Sequence, residues 1–213
     1  MSNSSLATYQ RLTDNYDPRR YKIDTITIHC YVGQVTAKQG CDYFYNTDRE
    51  VSSNYVVGRD GSIGLSVAEN HRAWTSSSPS NDHRAITIEV ASDTKPPYAV
   101  TDKAYSALIA LVTDVCKRNG IKKLVWSNNK TDRINHRNGC NMTVHRDFAS
   151  TACPGAYLYS RMADTAAQVN KRLSAGTTKP TAKPTTTIKI DAPSDVGGND
   201  MTRGYFQVGD RNE

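Results

Sequence analysis

Two hydrophobic periods alternate along the chain. Thr25-Ile26-Thr27-Ile28-His29 and Ile86-Thr87-Ile88-Glu89-Val90 put an apolar residue at every second position, the period of a β-strand. Asn54 to Val57 and Ser62 to Leu65 flank Arg59-Asp60-Gly61, a turn signal that predicts a hairpin. The period then lengthens. Thr101-Asp102 opens a helix in which Ala104, Leu108, Leu111, Val112 and Val115 recur at helical spacing until Gly120 stops it. Leu124-Val125-Trp126 is a short strand candidate, and Leu158, Met162, Ala166, Val169 and Leu173 form a second helical stripe. Strands interleaved with helices predict a three-layer α/β domain, with a mixed central sheet flanked by helices. Both helical stripes are read as core.

The pattern fades after Leu173. Ser174 to Thr187 reads SAGTTKPTAKPTTT, which has no aromatic, acidic or large apolar residue and so reads as a solvated, semi-extended linker. The expected organisation is a globular domain over 1–173, a linker over 174–190 and a tail over 191–213. That tail is too short and polar to bury a core of its own. Its ending, GYFQVGDRNE, reads equally as a disordered tail or as the opening of a further, uncompleted module.

Composition narrows the function classes. Of 213 residues, 37% are hydrophobic and spread over most of the chain, which excludes a disordered or fibrous protein. No apolar run is long enough for a membrane span. The segment MSNSSLATYQRLT lacks a basic stretch followed by an apolar one, so no secretory signal is expected and synthesis in the cytosol is. The 27 Lys and Arg exceed the 21 Asp and Glu by 6. They are scattered, without clusters interleaved with aromatics, so no nucleic-acid partner is expected. A mildly basic surface suits approach to anionic polymers instead. The five cysteines, at 30, 41, 116, 140 and 153, include no Cys-x-x-Cys pair. With an odd count and a reducing compartment, a disulfide framework is disfavoured.

Strand parity brings candidate chemistry together. If the isoleucine faces pack on helices, Thr25, Thr27 and His29 share the opposite face of one strand, and Thr87 and Glu89 that of the other. His29 and Glu89 then project at strand ends, where sites of α/β sheets form. A third segment, Thr143-Val144-His145 through Cys153-Pro154-Gly155, places a His and a Cys eight positions apart. That spacing fits a strand end and a loop returning to the same point. Imidazole and thiolate are both zinc ligands, and three protein ligands (His29, His145, Cys153) would leave a fourth position for water. The alternative is a closed structural site, with His71, His83 or His136 as fourth ligand.

These segments, with Val51-Ser52-Ser53-Asn54-Tyr55-Val56-Val57 and Asp60-Gly61 between them, occur in an order that resembles a known family. They are similar to the zinc-dependent N-acetylmuramoyl-L-alanine amidases of the amidase-2 type, relatives of phage lysozymes of the T7 kind and of peptidoglycan recognition proteins. The resemblance covers roughly residues 20 to 173. Trp74-Thr75-Ser76-Ser77-Ser78 and Asn81-Asp82-His83-Arg84 look especially like amidases of phages and prophages of Gram-positive bacteria. It implies Zn2+ held by His29, His145 and Cys153, and hydrolysis of the amide joining N-acetylmuramic acid to L-alanine of the peptidoglycan stem by zinc-activated water. Glu89 is suited to act as general base and then acid, or to orient a ligand His. Thr151 matches a place where many relatives carry Lys to stabilise an oxyanion; its hydroxyl donates a hydrogen bond without a charge.

The chain departs from the T7-like pattern in having Ser53 where a catalytic Tyr stands and Asn54 where a His commonly follows. Proton transfer then rests on Glu89. Trp74 and Ser76-Ser77-Ser78 are candidate substrate contacts or a buried anchor with its loop, and the insertion between Val125 and Asn141 is read as a solvated loop beside the cleft. The leading expectation is a phage endolysin acting on the wall after release. A non-catalytic binding module of the same fold and a bacterial autolysin are the alternatives.

Overall fold

The computed structural model describes residues 2–175. Most of the expected linker, and all of the tail over 191–213, lie outside the described residues.

The alternating segments form the strands they predict. β3 (Thr25–Cys30) and β7 (Ala85–Val90) pair in parallel at the centre of a six-stranded sheet. β8 (Met142–Val144) extends the sheet from β3. On the other side lie β4 (Tyr55–Val57), β5 (Ile63–Leu65) and β1 (Tyr9–Gln10). The sheet is mixed because β4 and β5 are the expected antiparallel hairpin, whereas the other four pairings are parallel. Gly61 turns the hairpin at φ +85°, a conformation that a side chain would strain. A small second sheet pairs β2 (Tyr16–Pro18) with β6 (His71–Ala73).

Two helices cover the isoleucine face. In α3 (Asp102–Asn119), Thr101 caps the start by accepting from Ala104 N, and Gly120 closes the end at φ +70°. Its Leu108, Leu111, Val112 and Val115 pack with Ile26, Ile28, Ile86 and Ile88, and with Met162 and Val169 of α6 (Met162–Ala175), into one fully buried core. The opposite face is covered along β4 and β5 by α1 (Ala37–Asn46), whose Cys41 and Phe44 pack on Val56. α1 approaches so closely that a Cβ on Gly40 would stand 2.6 Å from Val56 Cγ1.

The threonine face is buried too, which requires its hydroxyls to be paired. Asn81, in the short helix α2 (Pro79–Asp82), donates to Thr27 Oγ1 at 3.0 Å and accepts from Thr143 Oγ1 at 3.0 Å. Thr27 and Thr143 also share a hydrogen bond of 2.8 Å, so three side chains close a ring over β3 and β8.

Three expectations are corrected. Leu124-Val125-Trp126 is not a strand: Leu124 N and Val125 N donate to the side chains of Asn170 and Asn141 rather than to a backbone ladder. The stripe from Leu158 to Leu173 is two helices, α5 (Gly155–Tyr159) and α6, because Arg161 N closes back on Leu158 O. The insertion after Val125 is not simply a solvated loop. It contains α4 (Lys130–Ile134), from which Arg133 is buried against Asp147.

Candidate active site

The parity argument is realised in register. His29 and Glu89 are directly paired neighbours near the ends of β3 and β7. His145 follows β8 immediately, on the other side of β3. Cys153 returns through the next loop, where Arg146 N donates to Cys153 O at 3.2 Å and Cys30 N donates to Cys153 Sγ at 3.4 Å. His29 Nδ1 stands 3.5 Å from Cys153 Sγ and 3.8 Å from Glu89 Oε1. The His29 and His145 rings lie 5.0 Å apart between centroids.

One ligand atom from each of His29, His145 and Cys153 falls within 4.8 Å of the others. Bonds of about 2.0–2.3 Å from a tetrahedral zinc to nitrogen and sulfur place ligand atoms at such separations. His29 Nε2 and Glu89 Oε2 are buried without a hydrogen-bond partner among the described residues, an expensive arrangement for a site with nothing to bind. The donor set therefore fits a metal ion, with no fourth protein ligand among the described residues. His71 stacks on Tyr16, His83 lies edge-on to Tyr21, and His136 bonds Cys140 O, so none of the three alternatives joins the cluster.

The electrostatics suit the same purpose. Burial, with His145 alongside, holds the His29 imidazole well below 6.5, and burial lowers His145 as well. Both rings are thus neutral near pH 7, the form that ligates metal. A shared hydrogen bond with Cys30, then burial, push the Cys153 thiol far up. A cation would reverse that, since ligation removes the thiol proton. Burial raises the Glu89 carboxyl to about 8.

A cleft leads to this cluster. One cavity of about 340 Å³ is lined by Tyr31, Tyr43, Phe44, Arg49, Val51, Ser52, Trp74, Thr75, Glu89 and His145. It adjoins a second of about 580 Å³ that shares Arg49, Val51, Trp74, Thr75 and His145 and runs on to Ser77, Ser78 and Asp82. The wall around Trp74 is held by hydrogen bonds. Trp74 Nε1 donates to Asp17 at 2.7 Å, Trp74 N donates to Ser52 Oγ at 2.8 Å, and Asp82 accepts from Thr75 N, Ser76 N and Ser76 Oγ. Trp74 is thereby both anchor and cleft wall, while Ser76 is buried and Ser77 and Ser78 line the outer cleft.

The remaining sequence candidates fall into different places. Thr151 sits two residues before Cys153, and its Oγ1 accepts from Cys153 N at 3.2 Å. Ser53 does not reach the cleft: its hydroxyl is buried and bonds Thr87 O at 3.0 Å. Asn54 is likewise buried, its Oδ1 accepting from Thr87 N. Sequence reasoning missed Tyr31, Phe44, Arg49 and Val51 as cleft residues. Tyr31 lies two positions after His29, so strand parity carries a signal for it; the others come from a helix end and a loop with no local mark.

A family model described as N-acetylmuramoyl-L-alanine amidase matches residues 19–156, which include every residue of the metal-binding cluster and Glu89. The chain belongs to that family. The amidase cleaves peptidoglycan, as its family does, between muramic acid and L-alanine. Its fold is similar to that of PlyL (TM-score 0.56, 17% identity), covering 76% of this chain and 95% of that one. It is also similar to a mutant endolysin from Bacillus subtilis (TM-score 0.56, 18% identity, 76% and 97% covered). A third likeness is to the amidase LysC from Clostridium intestinale (TM-score 0.51, 18% identity, 75% and 97% covered). No match is found among curated protein sequences.

Proposed function

We propose that the amidase is a zinc enzyme of phage endolysin type, in which His29, His145 and Cys153 hold the ion and Glu89 moves the proton. The observation that carries this reading is the convergence of three ligand atoms within 4.8 Å, beside a carboxylate that faces the same cleft. A zinc ion there supplies a Lewis acid that polarises the scissile carbonyl and acidifies water. The protein's own groups do the rest. Burial alone would keep the Glu89 carboxyl protonated near pH 7. A cation held beside it would favour the carboxylate, which could then take a proton from water and return it to the departing nitrogen. The neutral imidazoles and Cys153 orient the ion, and the Cys30 N–H steadies the Cys153 sulfur. Thr151 uses its oxygen to hold the turn before Cys153, which leaves its hydrogen to donate to a developing oxyanion.

The same reading makes 1–173 the catalytic domain, 174–190 a linker, and 191–213 a tail or the start of a wall-binding module. The protein would be made in the host cytosol and reach the wall after release. Mass spectrometry of digested cell walls tests it. We expect stem peptides with a new L-alanine amino terminus, no new reducing sugars, and loss of product with a chelator that is restored by zinc. Persistence of activity in the fully demetallated protein would remove zinc from the mechanism.

A further inference from the structure

One cation in the cleft has no counter-ion. Arg49 lines both adjoining cavities together with His145, and its guanidinium forms no ion pair among the described residues. The other guanidinium on the cleft wall, Arg72, is already engaged: its Nε and Nη2 both donate to Asp17, the first at 2.8 Å. The carboxylates nearby do not neutralise Arg49. Asp82 is buried and saturated by Thr75 N, Ser76 N, Ser76 Oγ and Asn81 Nδ2, Glu89 faces His29, and Glu50, an exposed residue lining the outer cavity, forms no ion pair among the described residues.

The backbone that presents Arg49 is fixed even though its side chain is exposed. Asn15 Nδ2 donates to Arg49 O at 2.9 Å and to Val51 O at 3.3 Å, and Ser52 Oγ clamps Asn15 O at 2.6 Å. Thr47 Oγ1 accepts from Arg49 N at 3.3 Å. The loop from Thr47 to Ser52 therefore aims a planar, fivefold donor along a groove lined also by aromatic rings, hydroxyls, His145 and the already engaged Arg72 and Asp82. A guanidinium so placed matches a carboxylate, which it grips through two parallel hydrogen bonds.

We propose that Arg49 is a specificity-determining residue that binds a free carboxylate of the stem peptide. The inference rests on the cleft being the substrate site of the amidase. The stem peptide carries carboxylates both on its acidic second residue and at its carboxyl end, and Arg49 selects stems in which one of them is not amidated.

Steady-state kinetics on four soluble muramyl peptides test this: muramyl dipeptides with the second-residue α-carboxyl free or amidated, and tripeptides with the terminal carboxyl free or amidated. The wild type should favour one free form by about tenfold in kcat/KM, carried in KM, as one charge-assisted pair is worth. Whichever pair shows the preference identifies the carboxylate. In Arg49→Gln that ratio collapses towards one, and Arg49→Lys, which keeps the charge without the fork, retains part of it. A ratio unchanged in Arg49→Gln, or no preference by the wild type in either pair, overturns the proposal. Binding of the free peptides, followed by chemical-shift titration without turnover, provides the second readout. If no muramyl peptide is cleaved, the amidase reading fails, while the same wild-type and Arg49→Gln titrations still decide whether Arg49 selects a carboxylate.

Discussion

Glu89 is where the chemistry of single residues can be tested most directly. Its carboxyl meets His29 at 3.8 Å but bonds nothing through Oε2. Glu89→Gln keeps the shape and removes the base. We expect kcat to fall by about 100-fold or more, with metal content by mass analysis unchanged. A variant that loses metal in proportion to activity would make Glu89 an orienting group instead. The cysteines separate in the same way. Burial pushes the thiols of Cys41 and Cys116 up to about 12, so at pH 8 they stay protonated and unreactive. Native protein treated with iodoacetamide at pH 8 should carry no adduct at either position. Denatured without reductant, it should take five adducts, because all five cysteines are free. At this scale the sequence was informative where a residue's side is fixed by period two: His29 and Glu89 follow from their strands. Arg49 and Val51 were not legible, since a loop has no period from which to read which way a side chain faces.

Among the elements, α4 changes the picture most. Arg133 is buried with Asp147, at 2% and 0% side-chain exposure, through Nε–Oδ2 of 2.9 Å and Nη2–Oδ1 of 2.5 Å. Trp126 lies over its guanidinium at 4.3 Å, and Ser127 O accepts from Nη1 at 2.8 Å. Asp147 also accepts from Val144 N at 3.1 Å, so the pair fixes the backbone on both sides of His145. Removing one partner leaves a buried charge. Asp147→Ala should cost about 3–5 kcal/mol, which lowers the unfolding midpoint by about 6–20 °C for a protein of this size. The double variant Arg133→Met with Asp147→Leu should recover most of that loss in thermal denaturation, since an apolar pair of similar volume carries no desolvation penalty. None of this was legible in Asn128-Asn129-Lys130-Thr131-Asp132-Arg133, whose composition is that of a solvated loop. A lone anchoring arginine leaves no hydrophobic period. By contrast α3 was legible from cap to cap, because Thr101, the apolar stripe and Gly120 all report local energetics. Leu124 to Trp126 misled for the complementary reason: its apolar character is real, yet side-chain amides from Asn141 and Asn170 satisfy its backbone.

At the scale of the whole molecule, the question is how much chain the catalytic unit needs. Every residue of both hydrophobic cores lies between Ala7 and Val169, and the partly buried residues packed around them end at Leu173. The five cysteines also fall at or before 153, all free, so no disulfide among them staples this unit to later sequence. Beyond Ala175 the sequence to Thr187 offers only Gly, Thr, Lys, Pro and Ala, residues with little apolar side chain to bury. A chain ending after Ala175 should therefore unfold within about 2 °C of the full chain, the range of changes that touch no core contact. It should hydrolyse a soluble muramyl peptide with kcat/KM within about twofold of the full chain. Loss of cooperative unfolding in the shortened chain would show that later residues complete the fold and would overturn the boundary at 173. If the shortened chain keeps its rate on the soluble peptide but clears intact cell walls more slowly, the tail contributes wall affinity rather than chemistry. Repeating the wall assay at rising salt then tests the nature of that affinity. The excess of six positive charges lies wholly within 1–175, because 176–213 has five Lys and Arg against five Asp and Glu. Both chains should therefore lose screened attraction to anionic polymers alike, and an advantage from the tail should persist as ionic strength rises.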